Sequence, residues 1–164
     1  MLYFDTTYLY RVYSTEPGHE AVKHLLANTE VLASAWHGRA EFVSIVLRKR
    51  REGSDSPEFL ASLESQFQND IKSGLIKFLP LTESIMLRLE KTLRAAPSTT
   101  NIRAADALHL ACAAEHGFTE VHSNDRHFLA AAPLFGLRGV NVIPGSVSPG
   151  RYLEEQAVVA SDAE

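Results

Sequence analysis

The sequence predicts an α/β domain with a mostly parallel central sheet. Short apolar segments of strand length alternate with longer segments of helical period. Turn signals separate them one by one, which is the pattern of strands joined by crossover helices. A third observation bears on function: four acidic residues interrupt stretches that otherwise read as buried core.

Leu2–Phe4 reads as a first buried strand and Thr6–Tyr13 as a short helical turn behind it. Glu16-Pro17 is expected to open a second helix running to about Asn28, since proline suits a first helical turn. Glu30–Ala33 reads as a strand, with Ser34 placed to N-cap a long helix reaching about Glu52. Gly53-Ser54-Asp55-Ser56-Pro57 is a clear loop, and a helix from about Glu58 to Ser73 ends at Gly74. Leu75–Leu79 reads as a strand. Thr82–Ala95 follows as an amphipathic helix with Ile85, Leu89 and Leu93 on one side. Pro97–Asn101 punctuates the chain before an alanine-rich helix that stops at Gly117. A strand around Val121, a helix from Asp125 to about Phe135 and a last strand Leu137–Ile143 complete the domain, taken as residues 1–144. The remainder, 145–164, reads as a linker (Gly145 to Gly150) and a loosely ordered or partner-docking tail.

The 164 residues, 45% apolar and 22% charged, suit one globular domain with a real core. No apolar run approaches bilayer-spanning length and the chain opens on a strand-like segment, so a cytoplasmic protein with no membrane partner is expected. The single cysteine, Cys112, excludes an internal disulfide and a multi-cysteine zinc site. Its apolar helix predicts an inert core thiol. A net charge of −4 excludes a globally basic nucleic-acid binder but leaves room for a local basic strip, Arg48-Lys49-Arg50-Arg51. Its plainer role is a cationic helix end that complements the dipole.

Asp5 closes Leu2-Tyr3-Phe4, and Glu41 lies within the apolar stretch from Trp36 to Leu47. Asp106 shares only with His109 the polar positions of the segment from Ala104 to Ala114, and Asp125 follows the strand-like Glu120–Ser123. A carboxylate in low dielectric is costly unless it is paired, hydrogen-bonded or metal-bound. By this reading all four sit near the carboxyl edge of the sheet, where open α/β sheets bind ligands. Gathered there they repel, and a divalent cation with hard oxygen ligands is the usual remedy. Plainer explanations exist for each: N-capping by Asp5 and Asp125, pairing of Glu41 with Arg39 or Arg48, and satisfaction of Asp106 by backbone donors or His109.

Three segments resemble the PIN-domain family, and specifically its VapC-type toxin ribonucleases from bacterial and archaeal toxin–antitoxin pairs. They are Tyr3–Leu9, Arg103–Ala111 and Ser123–Leu129, with Glu41 in the third helix. The resemblance spans about residues 1 to 144 and is most specific around Asp106. It implies a PIN-like three-layer α/β/α domain. The implied activity is that of an endoribonuclease dependent on Mg²⁺ or Mn²⁺, cleaving RNA phosphodiesters by metal-activated water. Asp5, Glu41, Asp106 and Asp125 would be its catalytic, metal-binding acids. Thr7 and Asn124 would support them, and Arg48, Lys49 and Arg126 are candidate RNA contacts. The implied partners are RNA, a cognate antitoxin and a second copy in a homodimer. A haloacid-dehalogenase phosphatase is set aside because Thr7 stands where its second Asp belongs, and a receiver domain because Asp5-Thr6 supplies no acid pair. A non-catalytic PIN-fold module that binds RNA or a partner is the alternative from another class.

Overall fold

Alternation of side chains along short strands divides the core in two. β1 (Leu2–Tyr3), β2 (Leu32–Ala35) and β3 (Ile76–Leu79) pair in parallel, Leu2 with Leu32 and Leu32 with Ile76. Tyr3, Ala33, Ala35 and Leu79 enter one hydrophobic cluster, while Phe4, Leu32, Ile76 and Phe78 enter the other. This is the period-two pattern of a sheet covered on both faces. The structure is a computed structural model and describes residues 1–27, 29–143 and Gly145.

β4 (Glu120–His122) and β5 (Arg138–Val140) form a second parallel pair. A bridge between Phe4 and His122 joins it to β1, and the Asp5 N–H donates to the His122 carbonyl at 3.1 Å. The order across the molecule is therefore β3-β2-β1-β4-β5. The chain steps outward from β1 to β3 and then returns to the other side of β1. Strand order reverses between β1 and β4, and open α/β sheets place a ligand crevice outside the carboxyl ends of the strands at such a reversal. Here those ends carry Asp5 and Ser123.

Two helical layers cover the sheet. α1 (Thr6–Arg11), α2 (His19–Leu26), α3 (Gly38–Glu52) and α4 (Pro57–Ser73) supply Tyr8, Val22, Phe42, Leu60 and Phe67 to the cluster containing Phe4. The stacked rings of Phe42 and Phe67, with centroids 3.7 Å apart, fasten α3 to α4. α5 (Glu83–Ala95), α6 (Ala104–Glu115) and α7 (Arg126–Ala131), with a 3₁₀ turn over Ala132–Phe135, fill the opposite cluster through Ile85, Leu110, Phe128 and Phe135. The three-layer α/β/α architecture expected from the sequence is the one observed. Small residues let α6 lie close to the sheet: Ala107, Ala111, Cys112 and Ala113 are fully buried. Burial pushes the Cys112 thiol up to about 11 against a hydrogen bond with Tyr3, so it is not a nucleophile at neutral pH.

Several boundaries differ from expectation for identifiable reasons. Ser34 does not cap α3; it lies inside β2, fully buried, and donates to the Phe4 carbonyl at 2.9 Å. β2 continues because Ala35 still pairs with Leu79, and the cap position falls to His37. α2 begins at His19 rather than Glu16, because Gly18 adopts a left-handed φ of 91°. A Cβ on Gly18 would also strike the Ile143 side chain at 2.4 Å. The helix ends at Leu26 with Ala27 as its C-cap, short of the expected Asn28, which lies outside the described residues. The helix expected from Asp125 to Phe135 tightens into a 3₁₀ turn where Pro133 enters, and β5 is shorter than Leu137–Ile143. Apart from Gly145, the tail from 144 lies outside the described residues.

Candidate active site

Asp5 leaves the end of β1 and caps α1, its Oδ1 accepting from the Tyr8 N–H at 2.7 Å. The Thr7 hydroxyl reaches both carboxylate oxygens at 2.9 and 3.0 Å, and the Ser123 hydroxyl donates to Oδ2. Asp5 is only 6% exposed. Burial raises its carboxyl above the ordinary value, and the bonds from Ser123, Tyr8 and Thr7 with the charge of His109 oppose that without cancelling it.

Asp125 performs the matching task after β4, capping α7 through the His127 and Phe128 N–H groups at 2.8 and 3.2 Å. Its own N–H donates to Ser123 Oγ at 2.9 Å, so one serine touches both acids across the reversal point. Asp106 lies in the first turn of α6, where the helix N-terminus favours negative charge. Arg103, at the cap position of that helix, donates to Asp106 at 2.7 and 3.2 Å and to Asp125 at 3.1 Å. The caps expected of Asp5 and Asp125 are thus real. Asp106 is paired with Arg103 and not with His109.

Glu41 projects from the first turn of α3 and finds neither Arg39 nor Arg48. Arg39 lies over the Trp36 ring at 5.2 Å, and Arg48 pairs with Glu52 at 3.9 Å. Instead Glu41 accepts from the Thr6 hydroxyl and faces His109 Nε2 at 3.0 Å and His37 Nε2 at 4.0 Å. Burial works to raise this carboxyl, but the hydrogen bond and charge of His109, helped by Thr6 and His37, outweigh it and hold the group at about 2. His109 is itself buried, with Nδ1 3.0 Å from the Tyr3 hydroxyl. Gly38 makes this approach possible: a Cβ there would stand 3.1 Å from the Thr6 and Ser34 hydroxyls.

Hydrogen bonds thus link three of the four acids, and Glu41 adjoins them through the chain. Ser123 joins Asp5 to Asp125, and Arg103 joins Asp125 to Asp106. Thr6, the residue after Asp5, joins the network to Glu41. Beside it opens a groove of about 550 Å³ lined by Thr7, Arg11, Arg48, Asn124, Asp125 and Arg126, among others. Asn124 accepts from Thr7 at 3.4 Å and from Arg11 at 3.3 Å. Lys49 is drawn off by Glu16 at 2.6 Å and Arg50 by Glu64 at 3.1 Å, so Arg48 is the member of the basic strip that reaches the groove wall.

Sequence reasoning missed Thr6, Arg11, His37, Arg103 and Ser123 as parts of this network. Thr6 follows Asp5 and Ser123 lies two residues before Asp125, so both were available as hydroxyl donors; His37 precedes Glu41 by one helical turn. Carboxylate oxygens fit a hard divalent cation. The guanidinium between Asp106 and Asp125 is a cation already held by two of them.

A parallel sheet whose strand order reverses between β1 and β4, with acids gathered at the reversal, defines a doubly wound type of α/β domain with a ligand crevice at its carboxyl edge. The profile of the PIN domain family matches residues 2–133, and the chain belongs to that family. Among curated proteins none matches it. Solved structures similar to it include VapC20 of Mycobacterium tuberculosis, a toxin that cleaves the sarcin–ricin loop, at 16% identity and a TM-score of 0.60. The match covers 80% of this chain and 95% of that one. FitAcB of Neisseria gonorrhoeae is similar at 19% identity and a TM-score of 0.66, covering 86% and 97%. VapBC2 of Rickettsia felis, bound to a DNA fragment from its promoter, matches at 15% and 0.61, covering 86% and 98%. At these identities the likeness is one of fold. No helix among the described residues is long and apolar enough to cross a membrane.

Proposed function

We propose that this protein is a divalent-metal-dependent endoribonuclease and the toxin of a toxin–antitoxin pair. The observation that carries the reading is the bonding of Asp5 and Asp125 to one serine at the strand-order reversal of a PIN domain, with Asp106 tied to Asp125 through Arg103. Asp5, Asp106 and Asp125 would hold Mg²⁺ or Mn²⁺ through oxygen, with Glu41 directly or through water. Bound there, the cation supplies Lewis-acid neutralisation of charge on the scissile phosphate and activates the attacking water. The protein's own groups do the rest. Ser123, Thr7 and the Tyr8 N–H fix the rotamer of Asp5, and the α7 cap fixes Asp125. Arg11, Arg48 and Arg126 line the groove with positive charge for an RNA backbone.

The toxin assignment rests on the fold shared with VapC20, with VapBC2 and with FitAcB. It brings a cognate antitoxin, a homodimer, a cytoplasmic setting and a nuclease body of residues 1–144 with a separate 145–164 tail. Cleavage of structured RNA by wild type and Asp5→Asn, with Mg²⁺, Mn²⁺ or EDTA, tests the activity. Metal-dependent cleavage lost in the variant is expected. Cleavage that persists in EDTA, or full activity in Asp5→Asn, refutes it, and no cleavage by wild type leaves the non-catalytic binding module as the better account.

A further inference from the structure

The Glu41 end of the network differs in donor chemistry from the rest. Asp5, Asp106 and Asp125 offer only oxygen, whereas Glu41 stands between two imidazoles. The ligating atoms of His37, Glu41 and His109 all lie within 4.8 Å of one another. His109 Nε2 is 3.0 Å and His37 Nε2 4.0 Å from Glu41 Oε2, with the two rings 4.2 Å apart by centroid. Donors around a zinc-sized ion sit roughly 3.3 Å from each other in a tetrahedral shell, so His109 and Glu41 are already near that spacing and His37 has to draw in toward them.

We propose that His37, Glu41 and His109 form a binding site for an imidazole-preferring transition-metal dication of the Zn²⁺ class, distinct in ligand type from the carboxylate position.

Three features support it. First, His109 is 2% exposed and its far nitrogen, Nδ1, is anchored 3.0 Å from the Tyr3 hydroxyl. A metal-binding histidine usually has such an outer partner, which sets the tautomer and leaves the other nitrogen's lone pair facing the metal. The Tyr3 hydroxyl donates or accepts with equal ease, so it serves the free and the loaded ring alike. Second, the His37 ring packs against the His109 ring, centroids 4.2 Å apart and tilted at 50°, with Nε2 4.0 Å from Glu41. Its Nε2 has the Ala105 carbonyl at 3.1 Å and must release it to ligate. On ligation the ring proton moves to Nδ1, which is buried without a hydrogen-bond partner among the described residues, a cost that the metal bond has to exceed. Third, the pocket is shaped for close approach: Gly38 lets Thr6 Oγ1 stand 3.2 Å from His109 Nε2, giving a hydroxyl at the shared edge. Imidazole nitrogen favours Zn²⁺, Co²⁺ and Ni²⁺, whereas Mg²⁺ keeps to oxygen and water. The catalytic meaning of the site rests on the nuclease reading, which it deepens by predicting a second, nitrogen-selective metal position beside the carboxylate one.

The probe is Co²⁺ added to the full chain and followed by proton NMR, because a coordinated histidine gives a strongly shifted, exchangeable ring N–H signal. Wild type should show two such signals. His37→Gln should lose one of them and bind Co²⁺ at least tenfold more weakly by titration calorimetry, while Mn²⁺ binding changes less than twofold. Glu41→Gln, which leaves both rings in place, should weaken Co²⁺ without removing the signals at saturation. His109 is too deeply packed to serve as the main variant. Absence of exchangeable imidazole signals at saturating Co²⁺, or unchanged signals in His37→Gln, overturns the site. RNA cleavage with Mg²⁺ separates the two claims: cleavage without imidazole signals removes this site and keeps the nuclease, and signals without cleavage do the reverse.

Discussion

Arg103 grips Asp106 through two parallel hydrogen bonds, at 2.7 and 3.2 Å, and extends a third to Asp125. A guanidinium therefore occupies the space between two carboxylates that the proposed activity assigns to a metal ion. The two cations compete for the same oxygens. The Arg103 side chain is 73% exposed, so its hold is screened and worth only about 0.5–1 kcal/mol.

Replacing Arg103 by Gln should tighten Mn²⁺ binding by about two- to fivefold, the factor that corresponds to an exposed ion pair. Titration of Mn²⁺ by electron paramagnetic resonance reads this without reference to activity. Weaker binding in the variant would mean that Arg103 supports the metal position from outside it.

Asp5→Asn should alter the pH dependence of stability in a defined direction. Burial raises the Asp5 carboxyl above its ordinary 3.8. A carboxyl that binds its proton more tightly when folded contributes stability below about pH 3.8 and loses it as pH rises through the folded value. In EDTA, wild type should therefore lose stability relative to Asp5→Asn over that rise, and the variant should melt at or above wild type at neutral pH. Melting curves from acid to neutral pH check it; a variant that is less stable at neutral pH in EDTA contradicts the assigned cost.

The sheet and most helices were legible because strand-length apolar runs and a 3.6 period are local signals. Ile85, Leu89 and Leu93 on one side of α5, or Gly74 ending α4, need no knowledge of the rest of the chain. The four acids stood out by the same local logic, as polar interruptions of apolar segments. Their partners did not. Glu41 and His109 are 68 residues apart, and only the β1–β2–β3 excursion and return of the chain bring α3 against α6. Ser34 was misplaced because a serine next to a helix start satisfies a cap or a strand neighbour equally well, and the Phe4 carbonyl decided between them. Arg103 reads locally as one more exposed cation. Its reach across to Asp125 is tertiary.

Glu41→Gln should produce the opposite pH signature to Asp5→Asn. Its carboxyl is lowered from 4.5 to about 2, where the bond and charge of His109 with Thr6 and His37 overcome the effect of burial. A depressed carboxyl contributes stability above its unfolded value and loses it as pH falls through the folded one. Wild type should therefore exceed Glu41→Gln in stability at neutral pH, and the difference should fade between pH 4.5 and about 2. Urea midpoints across that window measure it, and a difference independent of pH would place the effect in packing instead.

Ser123→Ala and Cys112→Ala remove one buried heteroatom each from opposite kinds of environment. Ser123 is fully buried and donates to Asp5 while accepting from the Asp125 N–H. Its loss leaves a buried carboxylate short of a donor and a backbone N–H without its acceptor. Bonds to charged groups are worth about 1.5–3 kcal/mol, so Ser123→Ala should cost about that much at neutral pH. The cost should shrink in acid, where a protonated Asp5 no longer needs the donor. Cys112 is buried against the sheet with its sulfur 4.0 Å from the Leu79 carbonyl, too long for a strong bond. Cys112→Ala should therefore cost about 1 kcal/mol of packing, without pH dependence. The two variants should also part in activity. Ser123→Ala frees the Asp5 rotamer and misplaces its oxygens, lowering cleavage about tenfold or more, by analogy with partners that orient metal ligands. Cys112→Ala should cleave RNA as wild type does. Equal activity in the two variants would show that Ser123 is a packing residue and that Asp5 is oriented by its helix cap alone.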